Sequence, residues 1–503
     1  MNSDIKSLEI PGLVKELVTD SSVKADNLIA DLWKVVNMGR LIKKAGFKKR
    51  TGLAMEQVIY LLLVWVWMKV DSIGMFASEV MQCFGLKNKD VLYDQLKRED
   101  LNWRKLHYQT AEKVIRETKM HKSPVRAFVV DDSVKERKGK KMEAVSRHFD
   151  HLQCRTVKGQ QVLTLGLATE EHFMVLDNDI YMSQKGRQGL KAAFKDGRSV
   201  AAKRYQDTEQ KSKPELLRSM VKRAVKHDIE ADYFLADAWF GNKPTIRLAH
   251  EVNTVPIVRM KNNKTRYRYV SYQDGQEVRS EYTAQQLYKE VVKKNWKRCG
   301  SSSPYQSVSV EVELNLASTD KEPEQWVKTK LLFVRGAAKG EKQTVGKKDW
   351  ALFLTTDVSL TPQEILEIYA LRWGIEVYFK EAKQHMGWLK EQTETFASHI
   401  ASLHLCAIRY AMLVCAKARD GGRMCDMRKS VEEQLTLLSY GKRLWGLFRL
   451  IIEMSLDELK DELDGKIELI MNTLDKNIMR FFTQALQLDH RTLELESKEY
   501  EVS

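Results

Sequence analysis

The 503-residue chain holds six cysteines, and none of them forms a C-x-x-C pair. That spacing argues against a zinc knuckle, and a chain of this size has no need of a disulfide framework, so reduced thiols are expected. The N-terminal MNSDIKSLEI lacks the basic-then-apolar order of a secretory leader. The longest apolar run, Val58 to Met68, falls well short of the roughly 20 residues that a membrane helix needs and predicts a buried helix instead. No Walker loop and no dinucleotide fingerprint occur, so neither ATP nor NAD is implied. These absences predict a cytoplasmic, bacterial-type protein with no membrane partner.

What the chain has in excess is positive charge. Lys and Arg number 83 against 68 acids, a net of +15, with a pI near 9.2. Such a balance favours a polyanionic partner, nucleic acid among them, though many cytosolic proteins are equally basic. The length is too great for one core and predicts several domains.

Residues 1–120 carry apolar stripes at helical spacing with lysines and arginines between them, as at Lys43-Lys44 and Lys48-Lys49-Arg50. A helical DNA-binding domain fits this pattern; so does a solvated basic face. From Ser123 the pattern changes. Val125–Val130 is a short apolar run ending at Asp131 and Asp132, as expected of a buried strand. Further strands are predicted at Gln161–Thr169, His172–Ile180, Tyr233–Ala236, Val255–Met260 and Trp350–Thr355. Pro214 suits the first turn of a helix between them. The expected fold is a multidomain α/β protein. Its catalytic core is split into residues 121–262 and 346–398 by a β-rich insertion at 263–345, and a helical region at 399–503 follows.

Thr361-Pro362-Gln363-Glu364 is a capping box with proline at the first helical position, so a long helix should begin there. On a helical wheel Tyr369, Arg372, Glu376, Lys380 and Lys383 share one face roughly 80° wide. Ile368, Leu371, Ile375, Phe379 and Ala382 form the adjoining apolar face. One acid among phosphate-seeking and stacking side chains suggests a site; intrahelical ion pairing such as Glu376 with Lys380 is the plainer account. In-line displacement at a phosphodiester needs cations held by hard oxygen ligands, and strand ends offer rigid places for carboxylates. Asp132, Asp237 and Glu376 are the candidates. Asp131 and Asp132 compete for the first position, because strand alternation sends them to opposite sides.

These residues carry a resemblance. The spacing of Tyr369, Arg372, Glu376 and Lys383 is similar to the Y-x2-R-x3-E-x6-K signature of the insertion sequence 4 family of DDE transposases. FVVDDS at Phe128–Ser133 and FLADAWFG at Phe234–Gly241 resemble its first and second aspartate motifs. IVRMK at Ile257–Lys261 and WALFLTT at Trp350–Thr356 are similar too. The resemblance spans about residues 120 to 400. It implies an RNase H-like core with a β-rich insertion, and it selects Asp132 as first ligand, because there the acid directly precedes Ser or Thr. It further implies two Mg2+ or Mn2+ ions on Asp132, Asp237 and Glu376, with Tyr369, Arg372, Lys383 and Lys380 on DNA phosphates or a flipped base. Trp350 is the candidate for a stacking tryptophan, and Trp373 is expected to pack.

The function so implied is cut-and-paste transposition at the nucleoid: end nicking, a hairpin in some members, and strand transfer. The partners would be double-stranded DNA, as terminal inverted repeats and target, and a second protomer. His399, Leu403, Ile408 and Leu413 are candidate dimer contacts. A nuclease without strand transfer and a non-catalytic DNA-binding protein derived from a transposase are the rival readings. His148 and His151, and the basic stretches Lys135–Lys141 and Lys185–Lys203, are predicted to lie on the surface or along the DNA backbone.

Overall fold

A computed structural model describes residues 28–81, 89–150, 154–183, 186–188, 190–274, 276–293, 295–299, 305–317, 322–336, 350–458 and 466–485. The chain divides into two compact units: His107–Lys383, and the described parts of residues 1–106 together with 384–503. The N-terminal and C-terminal helical regions thus belong to one unit, although the sequence suggests two separate domains.

The His107–Lys383 unit is built on one mixed sheet. Its strands are β1 Ala127–Glu136, β2 Val145–Asp150, β3 Arg155–Ala168, β4 Phe173–Tyr181, β5 Arg187–Gln188, β6 Tyr233–Ala236 and β7 Val255–Met260. The series continues with β8 Arg266–Gln273, β9 Gln276–Thr283, β10 Lys297–Arg298, β11 Tyr305–Asn315, β12 Trp326–Gly336 and β13 Ala351–Thr355. β1, β6 and β7 lie side by side and parallel. On the other side of β1 comes antiparallel β3, which pairs in turn with β4. This order, with helices packed against the sheet, is consistent with the RNase H-like core that the resemblance implies. The central strands are apolar because both faces are covered: Ala127 to Val130 and Val162 to Ala168 are buried throughout.

The β-rich segment does not stand apart. β12 pairs with β13 and β11 with β12, and β8 and β9 complete the edge, so the segment prolongs the core sheet. The alternating Val308, Val310 and Val312 all turn into the core.

Two helices reach the sheet through a network of buried charges. The consecutive residues Asp177, Asn178 and Asp179 of β4 are all buried, next to a register shift in the β3–β4 ladder. Arg223, on the Lys213–Lys226 helix, reaches Asp177 and Asp179 at 2.8 Å each. Arg204, on the Val200–Gln210 helix, pairs with Asp179 at 3.0 Å. Removing one partner of such a cluster strands the other charges in a low-dielectric interior. Arg223→Met is therefore expected to lower unfolding stability by about 3–5 kcal/mol in chemical denaturation; a loss below about 1 kcal/mol would mean the cluster is solvated.

The capping box at Thr361 forms as expected, the Thr361 hydroxyl and the Glu364 carboxylate each satisfying the other's backbone N–H. The helix it opens is broken, however, into Pro362–Ala370 and Trp373–His385. At the junction the bonds tighten to i→i−3: Arg372 N–H donates to Tyr369 O, and Ile375 N–H to Arg372 O. A single helical wheel over Tyr369–Lys383 is therefore out of phase at this break, though Ile375, Phe379 and Ala382 are buried as that wheel requires.

In the other unit, Leu28–Val35, Met38–Ala45, Met55–Val64 and Asp90–Lys97 are helices, as are Phe396–Asp420, Met424–Glu458 and Ile467–Ala485. Phe396–Asp420 is long and apolar enough to span a membrane, yet its apolar stretch is entirely buried within the protein. Polar interruptions such as His399, Ser402 and Arg409 keep it from reading as one apolar run. Arg409 is fully buried and donates to Leu63 O and Met386 O at 2.9 Å each, and also to Leu62 O. It thereby satisfies carbonyls at the C-terminal end of Met55–Val64, which the helix itself leaves unpaired. His399, Leu403, Ile408 and Leu413 are buried in this core, so they are not available as dimer contacts.

Candidate active site

The parallel ladder between β1 and β6 sets the site. Its last rung pairs Val130 with Ala236, so the next residues on the two strands are Asp131 and Asp237. Residues level on neighbouring parallel strands point to the same side. Asp131, not Asp132, is the acid level with Asp237. Pairing register is what the sequence could not supply, since FVVDDS carries both acids.

Asp131 is pushed up to about 7 from its ordinary range, by burial first and then by the charges of Asp237 and Asp132. Its Oδ1 accepts from the Asp132 N–H at 2.7 Å. The Asp237 carboxylate closes a turn, accepting from the N–H groups of Trp239 at 2.9 Å and Phe240 at 3.2 Å. Gly241 then passes so close to β7 that a Cβ there would stand 1.9 Å from Arg259 O. Only glycine fits at that crossing.

Glu376 is drawn to the same place through Arg372, whose guanidinium contacts Glu376 directly and lies 3.5 Å from Asp131. Burial works against the Arg372 charge, and Tyr369, Glu376 and Asp131 outweigh it, so its pKa is raised. Its buried Nε finds no partner among the described residues. Tyr369 donates to Ala236 O at 3.3 Å and sets its ring edge-on to Phe353 at 4.8 Å, anchoring its helix beside the end of β6. Gly374 lets the following helix approach β4, because a Cβ there would meet the Phe173 ring at 3.0 Å.

Asp132 turns away, as strand alternation demands. Its carboxylate accepts from Gln161 Nε2 at 2.6 Å and pairs with buried Lys213 at 2.7 Å. The expectation that Asp132 stands with Asp237 and Glu376 is corrected: the structure brings Asp131 there instead. Lys213 also lies over the Trp239 ring, 4.2 Å from its centre. Sequence reasoning passed over Lys213, Gln161 and Trp239. Trp239 carried a signal all the same, being a large aromatic in a tight turn two residues after an acid, and it is 37% exposed.

Of the other expected DNA contacts, Lys380 and Lys383 are exposed, as phosphate contacts must be. Trp350 stacks on Tyr288 at 5.2 Å and lies 5.0 Å from Phe333, so one face of its ring is covered. Trp373 is 62% exposed, which overturns its expected packing role. His148 is buried against the Ser146 hydroxyl at 2.8 Å rather than on the surface, and burial, then Lys213, pushes its pKa down to about 4. His151 and Lys185 lie outside the described residues.

No group of three or more His, Cys, Asp or Glu side chains stands ready as a metal cage among the described residues. The donor set nevertheless fits a hard dication. Asp131 and Asp237 face one another with their like charges opposed, and Arg372 joins Glu376 to them.

Residues 87–329 match a protein family described as DDE superfamily endonuclease. The match supports a DDE transposase or nuclease, enzymes that take DNA as substrate. It covers a little under half of the chain, includes Asp131 and Asp237, and stops before the Glu376 helix. No curated protein matches the chain.

The strained ionisation of Asp131 has a measurable sign. Its folded pKa lies above the unfolded value, so its contribution is full below pH 4 and is lost as pH rises toward 7. With divalent ions chelated, Asp131→Asn is expected to exceed the parent in stability by about 2 kcal/mol above pH 7, and to lose that advantage near pH 4. Parallel stability–pH curves for the two proteins would contradict the placement.

Proposed function

We propose that the protein is a DDE transposase that cuts DNA and joins the freed end to a new site, with Asp131, Asp237 and Glu376 as its acidic triad. The supporting observation is the β1–β6 register, which makes Asp131 and Asp237 neighbours at the ends of parallel strands. These three carboxylates would hold two Mg2+ or Mn2+ ions, which when bound supply an activated oxygen nucleophile and steady the departing one. Arg372 has a spare buried donor and would take a phosphate oxygen in forked geometry. Tyr369 fixes the approach of that arginine, whose guanidinium lies 5.6 Å from its ring centre. Lys380 and Lys383 continue the cationic face along the strand being cut. The likeness in Tyr369, Arg372, Glu376 and Lys383 supports a reading within the insertion sequence 4 family. It implies terminal inverted repeats as substrate, a paired-end complex of two protomers, and work at the bacterial nucleoid.

A strand-transfer assay tests this. Duplexes taken from the DNA flanking the gene, with free 3′-hydroxyl ends, are incubated with a plasmid target and Mg2+. Joined products are expected from the parent protein. Asp131→Asn, Asp237→Asn and Glu376→Gln should each reduce them by roughly 1,000-fold or more, and Asp132→Asn by less than about 10-fold. Cleavage without joining would make the protein a nuclease. DNA-dependent activity that survives all three substitutions would make it a binding protein.

A further inference from the structure

Beside the two acids the sheet carries a third charged position. The β6–β7 ladder pairs Ala236 with Val258 in parallel register, so Asp237 and Arg259 are level, as Asp131 and Asp237 are. Level residues on neighbouring strands share a side, which puts Arg259 in line with the acids, one strand spacing of about 4.8 Å beyond Asp237. Two further contacts fix that side. Arg259 is paired with Phe353 of β13, and the Phe353 ring meets Tyr369, on the helix that leads to Glu376. Burial raises the Tyr369 hydroxyl, Arg372 and Arg259 act against the rise, and Asp237 adds to it. One ring thus has both arginines and an acid around it.

Pro256, Ile257, Val258 and Met260 of β7 are buried, while Arg259 among them is exposed. β7 lies inside the sheet, between β6 and β13, so this cation opens on the mouth of the site rather than on a free edge. Among the described residues no carboxylate pairs with it, whereas Arg372 is engaged by Asp131 and Glu376. Its backbone is held in place too. Gly241 N–H donates to Asp237 O at 2.8 Å, and Gly241 crosses β7 directly against Arg259 O. The turn that presents Asp237 therefore also fixes where the Arg259 side chain begins.

A solvated arginine near a strand end is the plainer account of its exposure, but it leaves the line-up with the acids unexplained. A DNA strand whose phosphate sits on ions at Asp131 and Asp237 brings its next phosphate along the same row, where no ion neutralises it. An exposed guanidinium one strand further on meets that charge with forked donors.

We propose that Arg259 binds the phosphate next to the one being cut, on the Asp237 flank of the site, with Arg372 at the Asp131 end. The substrate strand then crosses the sheet from β1 over β6 to β7. This rests on the transposase reading of the acids.

Binding of a pre-cut duplex from the flanking DNA, followed by fluorescence anisotropy over a salt series in Mg2+ without target plasmid, tests it. Each phosphate around the cut is replaced in turn by an uncharged methylphosphonate. Arg259→Ala is expected to weaken binding about 10-fold and to flatten log affinity against log salt by about 0.9, one phosphate contact. One methylphosphonate beside the cut should cost the parent about 10-fold and cost Arg259→Ala nothing more. Arg259→Lys should keep the parent's salt dependence and recover part of the affinity. Should Arg259→Ala misfold, Arg259→Gln carries the same expectations. Mn2+ binding without DNA should be no weaker in Arg259→Ala than in the parent.

An unchanged salt dependence, or methylphosphonates that affect the parent and Arg259→Ala alike at every position, overturns the inference. So does Mn2+ binding that falls in Arg259→Ala, which would make the arginine a support for Asp237. The reading beneath it fails differently: a parent that binds and cuts without joining sinks transposition, while the salt and methylphosphonate results still decide Arg259. A parent that does not bind the duplex overturns both.

Discussion

The parallel register of β1 against β6 is the constraint on which the site depends. Four rungs, from Ala127 with Tyr233 to Val130 with Ala236, leave Asp131 and Asp237 level as the pairing ends. Over these rungs Ala127–Val130 of β1 and Phe234–Ala236 of β6 are buried, so a slip of one residue would break up the packed apolar set and cannot occur cheaply. Core packing, rather than any contact among the acids, is what forces two like charges together. The repulsion appears in Asp131, which burial and Asp237 raise to about 7.

The surroundings answer that repulsion in two separate ways. On one side of β1, Arg372 reaches both Asp131 and Glu376, tying the acid-bearing helix to the strand. On the other, Lys213 and Gln161 engage Asp132 and offset part of its charge, which still adds to the rise at Asp131. Two adjacent aspartates thus have different fates set by strand alternation alone. The half-covered tryptophan at position 239 lies between the two environments, in the turn closed by Asp237 and beneath Lys213.

Much of this was legible in the sequence. Tyr233–Ala236 and Val255–Met260 form strands where the apolar runs predict them, and the Thr361 capping box begins a helix as its residues require. Tyr369, Arg372 and Glu376 do gather at one place, even though the helix that carries them breaks at Leu371–Arg372. What the sequence could not carry were quantities fixed only by long-range packing. The choice between Asp131 and Asp132 rests on a register shared with a strand some hundred residues away. Lys213 is sequestered by a tertiary partner that no local pattern names. The burial of His399, Leu403, Ile408 and Leu413 shows the same limit: an amphipathic face does not reveal whether its partner is the same chain or another.

The central claim is that Asp131 shares a cation site with Asp237 while Asp132 does not. Mn2+ binding followed by electron paramagnetic resonance reads this directly, without DNA and without turnover. The account predicts that Asp131→Asn and Asp237→Asn each weaken Mn2+ binding by roughly 10-fold or more, and that Asp132→Asn leaves it nearly unchanged. Loss of binding in Asp132→Asn, with Asp131→Asn like the parent, would contradict it.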